Sequence, residues 1–163
     1  MRIGIIGAGN MGAALAASLS MLGHQVAIAN SRGPQTLAGV AARSGATAVP
    51  LTEVARKADV VILAVPEKNI PALPAVLLGA LTGKTVVIDA GNYVPRLRDG
   101  RIDAIDAGQP ESQWVQAQLR HPVVKAFNTI RPASLAGPPE PPAAPLSRSP
   151  ETTRPPKSSP WNW

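Results

Sequence analysis

The chain has no cysteine, so disulfides and thiolate metal sites are excluded. Only 3% of its 163 residues are aromatic, which leaves little with which to stack nucleobases. The formal charge of +6 would suit a polyanion, but the basic residues are dispersed, with Arg148, Arg154 and Lys157 near the C-terminal end. Nucleic acid is therefore not an expected partner. No apolar run approaches the length of a membrane span, so no membrane is expected either. The first residues resemble neither a signal nor a transit peptide, because Arg2 is the only early charge and glycines interrupt the apolar run. The expected setting is cytoplasmic. His24 falls in the turn after Gly23, and His121 has no neighbouring carboxylate or second histidine in sequence. They read as turn residues, no metal site is expected, and no catalytic residue is identified.

What is present begins at once. Ile3–Ile6 is a short apolar run that ends in Gly7-Ala8-Gly9-Asn10-Met11-Gly12, a full G-x-G-x-x-G, and a helix-compatible run over Ala13–Leu22 follows. A strand, a glycine turn and a helix in that order suit a dinucleotide pyrophosphate. Gly7 permits the tight turn, Gly9 lets the backbone approach the phosphates, and Gly12 lets the helix pack on the strand. The N–H groups of Asn10 and Met11 and the positive end of the helix dipole then face the anion.

The second signal is another absence. A domain that prefers NAD places a carboxylate about 20 residues further on, against the ribose 2′-hydroxyl. Here the second strand, Val26–Ala29, runs into Asn30-Ser31-Arg32 with no acid. A hydroxyl and a guanidinium can hold a 2′-phosphate that a carboxylate would repel. NADP(H) is the expected cofactor, and Ser31 can also cap the following helix.

That helix is expected from Pro34 to about Ser44, ended by Gly45, before a short strand at Ala46–Val49. Thr52 is placed to cap a short helix through Lys57. Val60–Val65 is near-continuously apolar, as in strands covered on both faces, and it stops at Pro66. Val65 and Pro66 should border the cofactor, at the point where strand order reverses. A helix that begins no earlier than the region of Pro71 and Pro74 and ends near Leu81 leads to a strand at Thr85–Ile88. The small residues after it, Ala90 among them, fall on the ligand side, and Asp89 reads as a cap for nearby backbone N–H groups. Residues 93–110 form a long connection with one helical turn at Arg101–Ala107 and no evident chemistry. A helix at Glu111–Leu119 and a sixth strand at Val123–Phe127 complete the alternation, with Asn128 at the strand's ligand side. The expected fold is α/β, a doubly wound and mostly parallel sheet of order 3-2-1-4-5-6, the Rossmann NAD(P)-binding fold.

Several of these segments resemble one family. They are Gly7–Gly12, Ile28-Ala29-Asn30-Ser31-Arg32-Gly33, Ala58-Asp59-Val60 through Pro66, Val87-Ile88-Asp89-Ala90-Gly91-Asn92-Tyr93 and Val124-Lys125-Ala126-Phe127-Asn128. Together they resemble the deazaflavin-dependent NADP oxidoreductases, NADPH-dependent reductases of an 8-hydroxy-5-deazaflavin coenzyme. Pyrroline-5-carboxylate reductases and hydroxyisobutyrate-type dehydrogenases share the first motif and the A-D-V-V-I-L-A-V strand. An imine or hydroxyacid reductase, or an NADP-binding module without catalysis, are thus the alternatives. The resemblance covers Met1 to about Leu135. It implies hydride transfer between the nicotinamide and the deazaflavin, with Ser31 and Arg32 on the 2′-phosphate, Asn128 near the nicotinamide, and a homodimer.

Beyond residue 136 the pattern changes. Gly137–Trp163 holds nine of the 18 prolines and no apolar periodicity, so residues 1–136 read as the dinucleotide-binding domain and 137–163 as a disordered tail. Two origins fit. One is a natural Pro-rich linker or partner-binding tail. The other is a shifted reading frame: two bases in, Trp161-Asn162-Trp163 forces Glu then Leu, and the same offset through Pro150–Pro156 permits Gly-Asp-Asp-Pro-Ala-Ala, which resembles the turn and helix start that the family has after the sixth strand. In either case the sixth strand should be an exposed edge.

Overall fold

A computed structural model describes residues 1–135; the expected tail lies outside the described residues. Six parallel strands form one sheet in the order β3-β2-β1-β4-β5-β6, as expected. They are β1 (Arg2–Ile6), β2 (Gln25–Ala29), β3 (Thr47–Ala48), β4 (Val60–Leu63), β5 (Val86–Asp89) and β6 (Val123–Lys125). β1 and β4 sit at the centre. Every residue of β4 and all of β1 after Arg2 are buried, which is why both read as apolar runs rather than alternations.

The helices are α1 (Asn10–Met21), α2 (Ala38–Ser44), α3 (Ala75–Ala80), α4 (Asp103–Asp106), α5 (Glu111–Leu119) and α6 (Pro132–Leu135). One core joins Leu15 and Ala16 of α1 to Ile5, Ile28 and Ile62 on one sheet face. The other joins Leu77 of α3 and Trp114, Val115 and Leu119 of α5 to Ile6, Val61 and Val87 on the opposite face. On the α1 face, the outer strands are thinly covered, and Val86 and Val124 remain about half exposed. Among the described residues β6 pairs only with β5.

Element ends differ from expectation for identifiable reasons. α1 starts at Asn10, three residues early, because Gly9 already serves as its N-cap and accepts the Ala13 N–H at 2.9 Å. The helix expected after Thr52 is a run of turns with i to i+3 hydrogen bonds, and Lys57 at φ 60° ends it. β4 stops at Leu63 rather than Val65, since its partner β1 ends where Gly7 turns at φ 104°. β5 takes in Asp89 and leaves Thr85 outside, whose hydroxyl bonds to Thr82 and to the Ala58 carbonyl. β6 stops at Lys125 because β5 offers no residue past Asp89 and Phe127 turns to φ 67°. Between β4 and α3 lies a 3-10 helix, Glu67–Ala72, and between β5 and α4 a single π-type turn, Pro95–Asp99. The helical turn expected at Arg101–Ala107 is α4.

Candidate functional site

A cavity of about 460 Å³ opens at the C-terminal edge of β1, β2 and β4. Seven of the residues singled out above line it: Gly7, Gly9, Asn30, Ser31, Arg32, Val65 and Pro66. Three separate loops supply them, one after each of these strands. This is the crevice at which the strand order reverses.

The three glycines have three distinct environments. Gly7 has φ 104°, and a methyl group there would strike the Ala64 carbonyl. A methyl group on Gly12 would strike the Gly7 carbonyl, so the helix can sit against the turn only without one. A methyl group on Gly9 would meet no atom within 4 Å. Packing therefore explains Gly7 and Gly12 and leaves Gly9 unexplained: no described residue fills the space beside it. α1 begins at this point with no acidic residue in its first turn, and its first N–H groups lack partners within the helix. The end of a twelve-residue helix thus faces the open space with its positive dipole and unpaired donors.

The second loop is preorganised. Asn30 Oδ1 accepts the Arg32 N–H at 3.0 Å and Asn30 Nδ2 donates to Thr36 Oγ1 at 2.9 Å. Asn30 is thus a scaffold for the loop. Ser31 and Arg32 are exposed, and the Arg32 guanidinium has no ion-pair partner among the described residues.

The remaining residues singled out are elsewhere. Asn10 and Met11 head α1, and Met11 is partly buried against the α1-face core. Ala90 is buried, with its N–H on the Leu63 carbonyl at 2.9 Å. The Asn128 carbonyl accepts Asn92 Nδ2 at 2.8 Å. Ala90 and Asn128 do not line the cavity. Leu51, Asn69, Ala72 and Leu73 do line it and were not anticipated. The last three belong to the 3-10 helix and the turn after it, which proline-marked helix limits hide.

Beside the cavity, at the ends of β4, β5 and β6, lies an ionic cluster that the sequence reading missed. Lys125 Nζ donates to Asp89 Oδ2 and Glu111 Oε2, each at 2.8 Å, and lies 3.5 Å from Glu67 Oε1. Arg98 bridges Glu67 Oε2 at 3.2 Å and Asp99 Oδ2 at 2.9 Å. Glu67, Asp89 and Asp99 are all buried. Burial pushes Glu67 up to about 7, with Asp89 adding to the rise and Lys125 opposing it. Burial alone would lower Lys125, but its hydrogen bonds to Asp89 and Glu111 leave it raised overall. Asp89 also accepts the Gly91 N–H at 2.9 Å, the capping role read from sequence. The one available signal was a charged residue closing each of two apolar strands, V-V-I-D and V-V-K.

The model of the family described as "NADP oxidoreductase coenzyme F420-dependent" matches residues 2–93. A hypothetical protein from Sinorhizobium meliloti is 36% identical, with a TM-score of 0.71 over 86% of this chain and 67% of its own. A candidate F420-dependent NADP-reductase from Arthrobacter sp. FB24 shares the fold at 24% identity and a TM-score of 0.67, over 82% of this chain and 64% of its own. The 3-hydroxyisobutyrate dehydrogenase of Mycobacterium tuberculosis is 25% identical, with a TM-score of 0.56 over 76% of this chain and 38% of its own. The chain therefore spans about two thirds of the first two structures and less of the third. No curated protein matches it.

Proposed function

Because the chain belongs to the family of coenzyme F420-dependent NADP oxidoreductases, we propose that it binds NADP(H) in the cavity at Gly9, Ser31 and Arg32 and serves hydride transfer to or from an 8-hydroxy-5-deazaflavin coenzyme. The observation that carries the reading is the unfilled space at Gly9, set between the N-terminus of α1 and the Ser31-Arg32 loop. Donors of one helix end suit a pyrophosphate. An exposed guanidinium at the end of β2, with no ion-pair partner among the described residues, suits a 2′-phosphate.

A bound dihydronicotinamide supplies the hydride. The protein's own work is then to bind, orient and desolvate. Asn10 and Met11 offer backbone N–H groups to the pyrophosphate. Ser31 donates a hydroxyl and Arg32 a charged fork to the 2′-phosphate. Val65 and Pro66 would present an apolar wall to the dinucleotide. Ala90 and Asn128, at the strand ends beyond the cavity, would flank its nicotinamide half. Both reacting carbons belong to small molecules, so the reading requires no side-chain nucleophile.

Titration of the purified chain with NADPH and NADH, followed by absorbance at the deazaflavin band, tests this. The expected result is saturable binding with preference for NADPH, then bleaching of the deazaflavin. Turnover of an imine or hydroxyacid instead would support the reductase reading, and tight binding without any turnover the binding-module reading. Failure to bind either nucleotide would overturn the site itself.

A further inference from the structure

The ionic cluster has no part in the chemistry above, and none of its side chains lines the cavity. Four of them nevertheless sit on, or hold, backbone that leads to the cavity or its flank. Glu67 directly follows Pro66, a wall residue. Asp89 fixes the turn after β5 through the Gly91 N–H. The Arg98 guanidinium reaches the Asn92 carbonyl, and Asn92 Nδ2 holds the Asn128 carbonyl at 2.8 Å. Lys125 stands three residues before Asn128, and between them Phe127 adopts φ 67°, a conformation that bulky residues take only when held. The ends of β4, β5 and β6 are thus joined through one ammonium group.

The direction of the dinucleotide gives this its meaning. With a 2′-phosphate at the end of β2 and a pyrophosphate over Gly9, the other half must run away from β2, across β4 and toward β5. The cluster has no contact with Ser31 or Arg32, and of the cavity wall it holds only the segment after β4, through Glu67. We propose that Lys125 is a positioning residue: by holding Asp89, Glu67 and Glu111 together, it sets the strand-end spacing that the nicotinamide half of NADP(H) needs, and leaves the 2′-phosphate contact at Ser31 and Arg32 in place. The inference rests on the NADP(H) reading of the cavity.

The cluster carries more acid than base. Glu67 faces Arg98 from the β5–α4 connection, Lys125 from β6 and Asp89 from β5. Asp99 lies behind Arg98, Glu111 of α5 behind Lys125, and Lys68 turns away to the Arg98 carbonyl. When Glu67 takes up a proton its attraction to both cations weakens while Lys125 keeps Asp89 and Glu111, so the brace loosens on its β4 side.

The test compares two ligands on the full chain by calorimetry at pH 6 and pH 8: NADP⁺, and adenosine 2′,5′-bisphosphate as the adenine half alone. Lys125→Met should weaken NADP⁺ at least tenfold and change the bisphosphate less than twofold, and Lys125→Arg should restore part of the loss. The bisphosphate's 5′-phosphate also titrates in this range, so Glu67→Gln supplies the ligands' own pH dependence: in the unmodified chain the ratio of NADP⁺ to bisphosphate affinity should fall further from pH 8 to pH 6 than it does in Glu67→Gln. Equal weakening of both ligands in Lys125→Met, or no weakening of either, overturns the proposal. If Lys125→Met shows no cooperative melt, Glu67→Gln decides alone: the same pH change in the ratio as in the unmodified chain overturns the proposal. Failure of the unmodified chain to bind either ligand would instead refute the reading of the cavity.

Discussion

Lys125 and Asp89 stand in register on neighbouring strands, with Nζ and Oδ2 2.8 Å apart and the carboxylate almost wholly buried. Removing one partner of such a pair leaves an uncompensated buried charge. Lys125→Met should cost about 3–5 kcal/mol in urea unfolding, near the upper range for a single substitution. A cost below about 1 kcal/mol would mean that the pair is as weak as a surface ion pair.

Gly9 and Gly12 should separate binding from stability. Gly9→Ala adds a methyl group to open space, so the melting temperature should hold while NADPH affinity falls tenfold or more, about 1.4 kcal/mol. Gly12→Ala drives a methyl group into the Gly7 carbonyl and should unfold the protein or cost more than about 3 kcal/mol. Identical thermal denaturation curves for the two variants would refute this division.

Arg32→Asp should reverse nucleotide preference. The guanidinium would give way to a carboxylate that repels a 2′-phosphate and accepts a ribose hydroxyl. NADPH binding should weaken by about 2–3 kcal/mol, since a charge-assisted contact is replaced by repulsion. NADH binding should improve or stay level in the same fluorescence titration. Uniform loss of both would place Arg32 in the loop's structure and not in recognition.

Glu67 supplies a pH prediction whose sign follows from its raised pKa. Its ordinary value of 4.5 rises to about 7 in the folded chain, so the folded state holds a proton that the unfolded state has lost. Stability should therefore fall as pH rises from 4.5 to 7 and stay low above that. Glu67→Gln removes the penalty and should stabilise the chain at pH 8 by up to about 3 kcal/mol, with little effect at pH 5. Urea unfolding at both pH values checks the difference.

The glycine turn and strand order were legible because their causes are local. A glycine at φ 104° and an unbroken apolar strand each leave a mark within a few residues. The acid-free end of β2 was legible for the same reason. The ionic cluster was not, because Lys125 lies 36 residues from Asp89 and 58 from Glu67. Only the sheet's pairing brings them together. Strand ends were misjudged where a partner ran out, as at Leu63 and Lys125. The turns over 51–57 were misjudged because Lys57 adopts a left-handed conformation that its own side chain does not advertise.

The first strand also fixes where Met1 lies. Arg2 grips Asp59 at the entry to β4, with its backbone N–H on Oδ2 at 2.7 Å and its guanidinium on Oδ1 at 2.9 Å. From there β1 runs straight to Gly7, so about 16 Å of strand separates Met1 from the mouth of the cavity. An affinity tag, a dye or a tether to a sensor surface attached at Met1 would emerge on the far side of the sheet. The protein can be immobilised by that end with its nucleotide entrance turned outward to the solution.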